Sequence, residues 1–373
     1  MRRAGFCVLV VTVVLVSLGA AGRGKESGEA WEKISLYFAP PAQYAGKFGN
    51  YRSPLLFDDG TRVQSREDWQ RRRAEILADW NGVMGAWPAV IERPRIESLG
   101  DVRRESFTQR SVRVETAPGQ MTKGYLLIPD GDGPFPAVFV PFYEAETSTG
   151  QNANKLRDFA YQLTKRGFVT LSIGSPGGDA RKPDAAGIKI QPLSFLGYVA
   201  ANGYQALASL PQVDGKRVGI VGHSYGGKWA MFGACLWEKY AAGVWSDPGV
   251  AWDEARGNVN YWEPWYLGSD ARVTRKPGLI TAENPRTGAY KVLVEGGHDL
   301  HELQALMAPR PMLVSGGAED GPGRWVALNH VVEVNRLLGV EGRVGMTNRE
   351  KHDPTAESNE VIYLFFEHFL MGN

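Results

Sequence analysis

The amino-acid sequence predicts an α/β protein built on a mostly parallel, doubly wound sheet. The chain has 373 residues, of which 43% are apolar, so it can bury a large core in one or two domains. From residue 106 onward, short β-branched runs alternate with helical segments, which is typical of a parallel sheet covered by helices. Between one such strand and its helix, residues 218–237 contain a Gly-x-Ser-x-Gly motif. Together these observations indicate a large α/β domain with a serine at a strand-to-helix turn.

The individual elements follow from the periodicity of the apolar residues. Alternating or continuous β-branched runs predict strands, and apolar residues at three- and four-residue spacing predict helices. The predicted strands cover residues 111–116, 124–128, 137–140, 168–173, 218–221, 243–245, 311–315 and 343–346. The predicted helices of the same part of the chain cover residues 156–166, 195–210, 227–237 and 359–370.

The first 21 residues have the pattern of a secretory signal peptide. Two arginines precede a nearly continuous apolar run over residues 6–18, and small residues follow at 19–22. The run is short for a transmembrane anchor, which is the alternative interpretation. We therefore expect cleavage near Ala21, a secreted or periplasmic protein, and no stable membrane insertion after cleavage.

The remaining chain divides into an extension and a main domain. Residues 22–104 are predicted to form an N-terminal extension, whose helix over residues 66–84 has an apolar face that packs on the main domain. Residues 105–373 form the predicted main domain. Within it, residues 251–298 are rich in Trp, Pro and Gly and have no clear period, so they are predicted to be an insertion, where lids and substrate walls occur.

The composition argues against several kinds of partner. The 42 basic and 41 acidic side chains give a net charge of +1, which provides no signal for nucleic acid or for a polybasic membrane contact. Cys235 is the only cysteine after the signal peptide, so no internal disulfide is expected, and a buried apolar role is predicted for it. His298 and His301 are spaced like a metal pair, but no third ligand is evident, so we expect no metal and no other cofactor.

The motif around Ser224 has the context that a nucleophile elbow requires. The β-branched strand ends at Gly222, and a helix-compatible stretch follows Gly226. A serine on so sharp a turn has a strained backbone, and flanking glycines let strand and helix approach closely. The N-terminus of the helix also lies beneath the negative charge that develops during attack. We therefore predict that Ser224 is a nucleophile, the alternative being a glycine-rich turn without a catalytic role.

A serine nucleophile needs a base and an acid that orients the base. His352 lies in a polar loop after the last predicted strand and is the predicted base. Two acids compete for the third position. Asp320 follows the strand before the histidine strand, the usual place in the chain order Ser, acid, His, whereas Asp247 follows the strand after the elbow helix. Glu319 is a lesser candidate, and the choice of acid stays open.

These motifs resemble the α/β-hydrolase superfamily. More narrowly, residues 105–373 resemble the bacterial glucuronoyl esterases and related secreted carbohydrate esterases. The elbow Gly222-His-Ser-Tyr-Gly-Gly-Lys228 is similar to that family's Gly-His-Ser-Arg-Gly-Gly-Lys. The resemblance implies an α/β-hydrolase catalytic domain that needs no cofactor, with His352 as base and Lys228 in contact with sugar hydroxyls. It also places Asp247 where the family often has its acid, which is commonly a glutamate.

Tyr225 is a departure from the family pattern. The family's arginine at this position helps to hold the oxyanion. The backbone N–H of Tyr225 is still a predicted oxyanion donor, and the second is predicted from Tyr143 in the loop 141–145. A lost oxyanion donor typically costs about 2.7–4 kcal/mol. Either another group compensates or the substrate differs from a methyl glucuronate ester.

The sequence and the resemblance together predict a secreted serine esterase. Its substrate would be an acetyl or uronoyl ester on a polysaccharide or oligosaccharide, hydrolysed through a Ser-His-Asp acyl-enzyme mechanism. Trp262 and Trp265 of the insertion are predicted to stack on sugar faces, with an apolar lid core as the alternative. The other hypotheses are a peptidase or general carboxylesterase of the prolyl oligopeptidase-like clan, a lipase, and a non-catalytic carbohydrate-binding protein with a hydrolase fold.

Overall fold

The computed structural model describes residues 28–153 and 156–372, which form one nine-stranded mixed sheet. The strands are β1 (Ile96–Arg104), β2 (Phe107–Ala117), β3 (Gln120–Pro129), β4 (Phe135–Pro141), β5 (Val169–Ile173), β6 (Val213–His223), β7 (Ala242–Ser246), β8 (Met312–Gly316) and β9 (Val344–Asn348). Their spatial order is β1-β2-β3-β5-β4-β6-β7-β8-β9. Pairing is antiparallel from β1 to β5 and parallel from β5 to β9. The predicted parallel α/β architecture is confirmed, with an antiparallel meander at one edge.

Helices cover both faces of this sheet. They are α1 (Glu29–Ile34), α2 (Arg66–Met84), α3 (Ala145–Ser148), α4 (Phe159–Lys165), α5 (Pro192–Ala208), α6 (Tyr225–Leu236), α7 (Gly288–Glu295), α8 (Leu300–Ala305), α9 (Trp325–Leu337) and α10 (Ala356–Phe366). One core layer contains residues of α2 and of α5 to α9, and the opposite layer contains residues of α1, α4 and α10. The sheet is therefore doubly wound.

Strand β4 shows how the sequence produces two core layers. Successive side chains of a strand point to opposite faces. Ala137 and Phe139 belong to the core on one face, and Val138 and Val140 belong to the core on the other. A strand buried on both sides needs a continuous apolar run, which is why its sequence shows no alternation with polar residues.

The carboxyl ends of the parallel strands meet at one edge of the sheet. At this edge β6 ends at His223, β7 at Ser246, β8 at Gly316 and β9 at Asn348. Loops that follow the carboxyl ends of such strands are the usual location of a site in an open α/β sheet. Every residue that we predicted for catalysis follows one of these strand ends or lies in the loop after β4.

Helix α2 attaches the N-terminal extension to the rest of the molecule. The side chains of Trp69, Ile76, Trp80 and Met84 are buried and join the core layer of α5 to α9, as the apolar periodicity predicts. The helix packs against α7 and α8. Strand β1 pairs with β2, so the sheet begins before residue 105, where the sequence places the start of the main domain.

Some elements differ from the sequence prediction. Helix α9, which packs against α8 and β9, was not predicted, and neither was the edge strand β1. Helix α4 is shorter than the predicted segment 156–166. The predicted insertion lies between β7 and β8, and most of it is irregular before α7 begins.

Two further predictions concern Cys235 and the first 21 residues. Cys235 is buried in α6, and burial raises the pKa of its thiol to about 12, so the thiol is neutral. The predicted signal peptide lies outside the described residues. Among the helices that the structure does describe, none has the length and hydropathy required to cross a bilayer.

Candidate active site

Ser224 occupies the turn between β6 and α6 in a strained backbone conformation. Its φ and ψ are 54° and −115°, a positive φ that residues with a side chain rarely adopt. A Cβ atom on Gly222 would lie 2.0 Å from the carbonyl oxygen of Gly226, and one on Gly226 would lie 2.3 Å from that of Pro141. Both glycines are therefore required for the close approach of strand, helix and neighbouring loop.

His352 forms a hydrogen bond with Asp247, and both residues line a cavity together with Ser224. The distance between His352 Nδ1 and Asp247 Oδ2 is 2.7 Å. Because an ionised carboxylate can only accept, Nδ1 carries the proton and Nε2 is left as the basic nitrogen. Asp247 is fully buried, and its Oδ1 accepts hydrogen bonds from the backbone N–H groups of Glu319 (3.2 Å) and Asp320 (2.8 Å). These donors keep the carboxylate oriented toward the imidazole.

Asp320, the competing acid, is turned away from the histidine. Its two carboxylate oxygens accept hydrogen bonds from the backbone N–H groups of Gly249 (2.8 Å) and Val250 (2.7 Å). Burial and the charge of Asp247 raise the pKa of Asp320 to about 6. Of the two acids that the sequence leaves open, the structure brings Asp247 to His352. Asp320 instead binds the backbone of the loop between β7 and the insertion.

Arg349 supports the loop that carries His352. Its guanidinium donates to the carbonyl oxygens of His352 (2.6 Å) and Ser315 (2.7 Å). The ring of His223 lies 4.7 Å from the ring of His352. Burial holds the pKa of His223 well below its usual range, so this second imidazole is neutral beside the base.

A cavity of about 170 Å³ lies in front of Ser224 and His352. Most of the side chains that surround it are polar or charged. The lining residues are Tyr143, Ser224, Tyr225, Lys228, Asp247, Asn258, Asn260, Tyr266, Glu319 and His352. Ser224, His352 and Asp247 therefore share one cavity with both predicted oxyanion residues and with Lys228.

Tyr225 begins α6, so its backbone N–H has no partner within the helix. Its phenol does not replace the arginine of the related elbow, because the side chain is buried and its hydroxyl lies 3.0 Å from Ser175 Oγ. Tyr143 lies between β4 and α3, packs its ring 4.8 Å from that of Tyr225, and is 40% exposed. Both residues line the same cavity as Ser224, and their role as oxyanion donors stays a prediction.

Lys228 points from the first turns of α6 into the cavity. Its ammonium group donates to the carbonyl oxygen of Pro248 and lies 4.4 Å from the ring centroid of Tyr261. Burial lowers the pKa of Lys228 to about 8, although the nearby carboxylates oppose this shift. Among the described lining residues, Lys228 is the only lysine or arginine.

The prediction that Trp262 binds substrate is wrong. Trp262 is 1% exposed, and its indole N–H donates to the carbonyl oxygen of Gly278 at 2.9 Å. It packs in the core of the insertion, which was the alternative interpretation. Trp265 is half-buried beneath the guanidinium of Arg181, 5.7 Å from its ring centroid, and does not line the cavity. The spacing of apolar residues in the sequence cannot by itself distinguish a tryptophan in the core from one that stacks on a ligand.

Three residues that line the cavity were given no binding role by the sequence analysis. They are Asn258, Asn260 and Glu319. The two asparagines belong to the irregular part of the insertion, where no periodic pattern indicates orientation. Glu319 could have been found, because it lies in the loop after β8, beside a candidate acid.

His298 and His301 each contact another group of the protein. His298 Nδ1 is 2.6 Å from Glu302 Oε2, and His301 Nε2 is 2.6 Å from the carbonyl oxygen of Arg52. His298 thus links the turn before α8 to that helix, and His301 links α8 to the N-terminal extension. Within the part of the chain that the structure describes, no cluster of His, Cys, Asp or Glu has the geometry to hold a metal ion.

Comparison with known sequences gives a partial match. A family model of FrsA-like esterases matches residues 100–242, a segment that runs from the end of β1 to the start of β7 and includes the elbow. A comparison with curated proteins produced no match.

Comparison with solved structures extends over most of the chain. A glucuronoyl esterase from Solibacter usitatus has a TM-score of 0.66 at 19% identity, covering 86% of this chain and 97% of its own. A proposed acetyl xylan esterase from Bacteroides fragilis has a TM-score of 0.54 at 16% identity, covering 84% and 80%. A glucuronoyl esterase from Sporotrichum thermophile, solved with methyl 4-O-methyl-β-D-glucopyranuronate, has a TM-score of 0.54 at 18% identity, covering 87% and 88%.

These matches agree with the expectation from the sequence. The solved structures support the fold, and the family model covers the segment that contains Ser224. The esterase description of that family model agrees with the prediction of an esterase-type enzyme. The chain has the α/β-hydrolase fold, and its resemblance to the glucuronoyl esterases and related carbohydrate esterases is confirmed.

Proposed function

We propose that this protein is a secreted serine esterase that hydrolyses an ester on a polysaccharide or oligosaccharide. The observation that carries the proposal is the 2.7 Å contact of His352 with Asp247. Both residues line a cavity with Ser224, which lies on a turn with a strained backbone. A nucleophile, a base and an orienting acid in one cavity are the components of acyl transfer. The pattern of the first 21 residues supports secretion.

The reaction follows from the orientation of the imidazole. His352 Nε2 accepts the proton of Ser224 Oγ as this oxygen attacks the ester carbonyl, and Asp247 stabilises the imidazolium that forms. The N–H groups of Tyr225 and Tyr143 hold the tetrahedral oxyanion. His352 then returns the proton to the leaving alcohol, and it activates a water molecule that releases the acyl group from the serine.

The character of the cavity supports a uronoyl ester as the preferred substrate. In such an ester the sugar itself is the acyl group, and its ring hydroxyls can bond with Lys228, Asn258 and Asn260. An acetyl ester is the second candidate. The small cavity volume, about 170 Å³, and the likeness to a proposed acetyl xylan esterase favour it. Lys228 is also the cation that would take over the role of the arginine that the related elbow has at the position of Tyr225.

The proposal is tested by an activity screen of the purified protein. The substrates are a methyl glucuronate ester, acetylated xylan and pectin, each assayed with the wild type and with Ser224→Ala. Ester cleavage that is lost in the variant, with an unchanged thermal unfolding midpoint, is the expected result. Full activity in Ser224→Ala would remove the nucleophile assignment.

Labelling with a serine-directed fluorophosphonate separates the proposal from its non-enzymatic rival. A non-catalytic carbohydrate-binding protein would bind xylan without reacting with the probe, whereas the proposed esterase is labelled at Ser224. A peptidase would be labelled as well, so cleavage of a peptide amide substrate is measured in parallel. Efficient amide cleavage without ester preference would favour the peptidase.

A further inference from the structure

Glu319 is a buried acid in the catalytic cavity to which the reaction assigns no role. It lies in the loop after β8, next to Asp320 in the sequence. It lines the cavity together with Ser224 and Lys228 and is 2% exposed. Its backbone N–H donates to both carboxylate oxygens of Asp247 at 3.2 Å. The position of the residue is therefore fixed by the acid that orients His352.

The carboxylate of Glu319 is only half satisfied by the protein. Its Oε1 accepts a hydrogen bond from Asn258 Nδ2 at 2.9 Å. Within residues 28–153 and 156–372, no group donates a hydrogen bond to its Oε2, and Arg256 Nε lies 3.7 Å away as an ion-pair partner. Buried acceptors are nearly always hydrogen-bonded, so an unused one in a binding cavity indicates a place for a donor on a ligand.

The charges around the cavity restrict the chemistry of that donor. Lys228 repels an ammonium group on a ligand, and Glu319 repels a carboxylate. A neutral group that both donates and accepts hydrogen bonds suits the two side chains together, and a sugar hydroxyl is such a group. Asn258 and Asn260, which also line the cavity, supply further donors and acceptors.

We propose that Glu319 accepts a hydrogen bond from a ring hydroxyl of the sugar and thereby selects hydroxylated esters over plain ones. The inference rests on the proposed esterase function and specifies how the same site recognises its substrate. Glu319 is a specificity residue here, since it acts on a part of the substrate that does not react.

The test compares two esters in the full-length enzyme. Methyl glucuronate ester carries ring hydroxyls, and 4-nitrophenyl acetate carries none. Glu319→Ala should lower kcat/KM for the glucuronate ester by roughly 10- to 100-fold, mainly through KM, because a hydrogen bond to a charged group is lost. The loss for nitrophenyl acetate should be at least tenfold smaller. Glu319→Gln keeps an acceptor of the same shape and should recover part of the selectivity.

Two control variants separate recognition from a structural role. Glu283→Gln changes an exposed glutamate of the insertion, away from the cavity lining, and should behave as wild type. Arg256→Ala removes the ion pair and the contact of Arg256 with the Ala318 carbonyl oxygen, but keeps the acceptor, so it should not change the selectivity. Equal losses on both esters in Glu319→Ala, or the same selectivity change in Arg256→Ala, would overturn the role of Glu319. A wild type inactive on the sugar ester would contradict the proposed function instead.

Discussion

Asp247 and Asp320 illustrate how two buried acids of one site acquire different tasks. Asp247 has a positive φ of 53°, its Oδ2 bonds with His352, and its Oδ1 accepts a hydrogen bond from the backbone N–H of Asp320. Asp320 accepts hydrogen bonds from two backbone N–H groups of the facing loop, and burial together with the charge of Asp247 raises the pKa of Asp320. The first aspartate is thus suited to orient a base, and the second is suited to hold a loop.

Replacing each aspartate by asparagine should separate these tasks. In Asp247→Asn the amide oxygen stays with the backbone N–H groups that hold Oδ1, so an NH2 group replaces the Oδ2 that accepts from His352 Nδ1. The Nδ1–H tautomer is then no longer selected, and kcat should fall by about 10⁴-fold with the fold retained. Asp320→Asn should lower kcat by no more than roughly tenfold and should cost about 1–3 kcal/mol of stability through lost backbone hydrogen bonds. Steady-state kinetics and thermal unfolding of this matched pair provide the measurement, and equal losses in kcat would contradict the assignment.

The buried ammonium of Lys228 should give the enzyme an alkaline limit. Its folded pKa of about 8 lies below the ordinary 10.5, so the group is charged below about pH 8 and neutral above it. If the charge helps to bind substrate, kcat/KM falls as pH rises through this value. In Lys228→Met the limb near pH 8 should disappear and KM should be raised throughout. A limb that persists in the variant would show that another group titrates there.

The same lysine has an opposite effect on stability. Between about pH 8 and 10.5 the unfolded chain holds a proton that the folded chain has released. The free energy of unfolding therefore rises with pH in this window because of Lys228, while activity falls. Denaturant unfolding of wild type and Lys228→Met at several pH values would reveal the difference in slope.

At the scale of elements, close-packed loops at the strand ends position Asp247 and His352. A Cβ atom on Gly317, just after β8, would lie 2.5 Å from the carbonyl oxygen of Lys351 and 2.7 Å from Asp247 Oδ2. The loop of the acid and the loop of the base therefore meet across this glycine. A side chain at position 317 would need the space that Asp247, the partner of His352, and the backbone of Lys351 already occupy.

Gly317→Ala should damage catalysis more than stability. The added methyl group pushes the loops apart, and a displacement of about 1 Å in a catalytic group can cost roughly 10²-fold in rate. We expect kcat to fall by about that factor. Gly321→Ala, in the same loop, places its methyl group in open space and should leave kcat unchanged. Similar kinetics for both variants would show that the two loops tolerate the strain.

At the scale of the whole molecule, the segment predicted as an N-terminal extension shares a hydrophobic core with the main sheet. The apolar face of α2 lies in the same core layer as α5 and α6, and the fully buried Arg72 of this helix bonds with Asp58 and Glu75 at 2.7 and 2.8 Å. Removing the helix would uncover the apolar surface of α7 and α8.

A chain that begins after residue 85 should therefore fail as a soluble enzyme. Loss of the two buried tryptophans of α2 alone removes contacts that typically contribute about 3–5 kcal/mol each. We expect the truncated protein to appear in the insoluble fraction on expression, while a chain that begins at residue 28 is soluble and active. A soluble, active fragment would identify α2 as a dispensable extension.

The sequence determines much of this protein because its strongest patterns are local. Apolar runs of strand length, the glycines around Ser224 and the polar loop at His352 each express a constraint on neighbouring residues, so the sheet, the strand-to-helix turn at Ser224 and the proposed base could be inferred without coordinates. Three assignments depend on distant contacts and were decided by the tertiary structure: which aspartate meets His352, where Trp262 packs, and which insertion residues line the cavity. In each case, side chains that are far apart in the sequence come into contact, and no local periodicity indicates which of them do so.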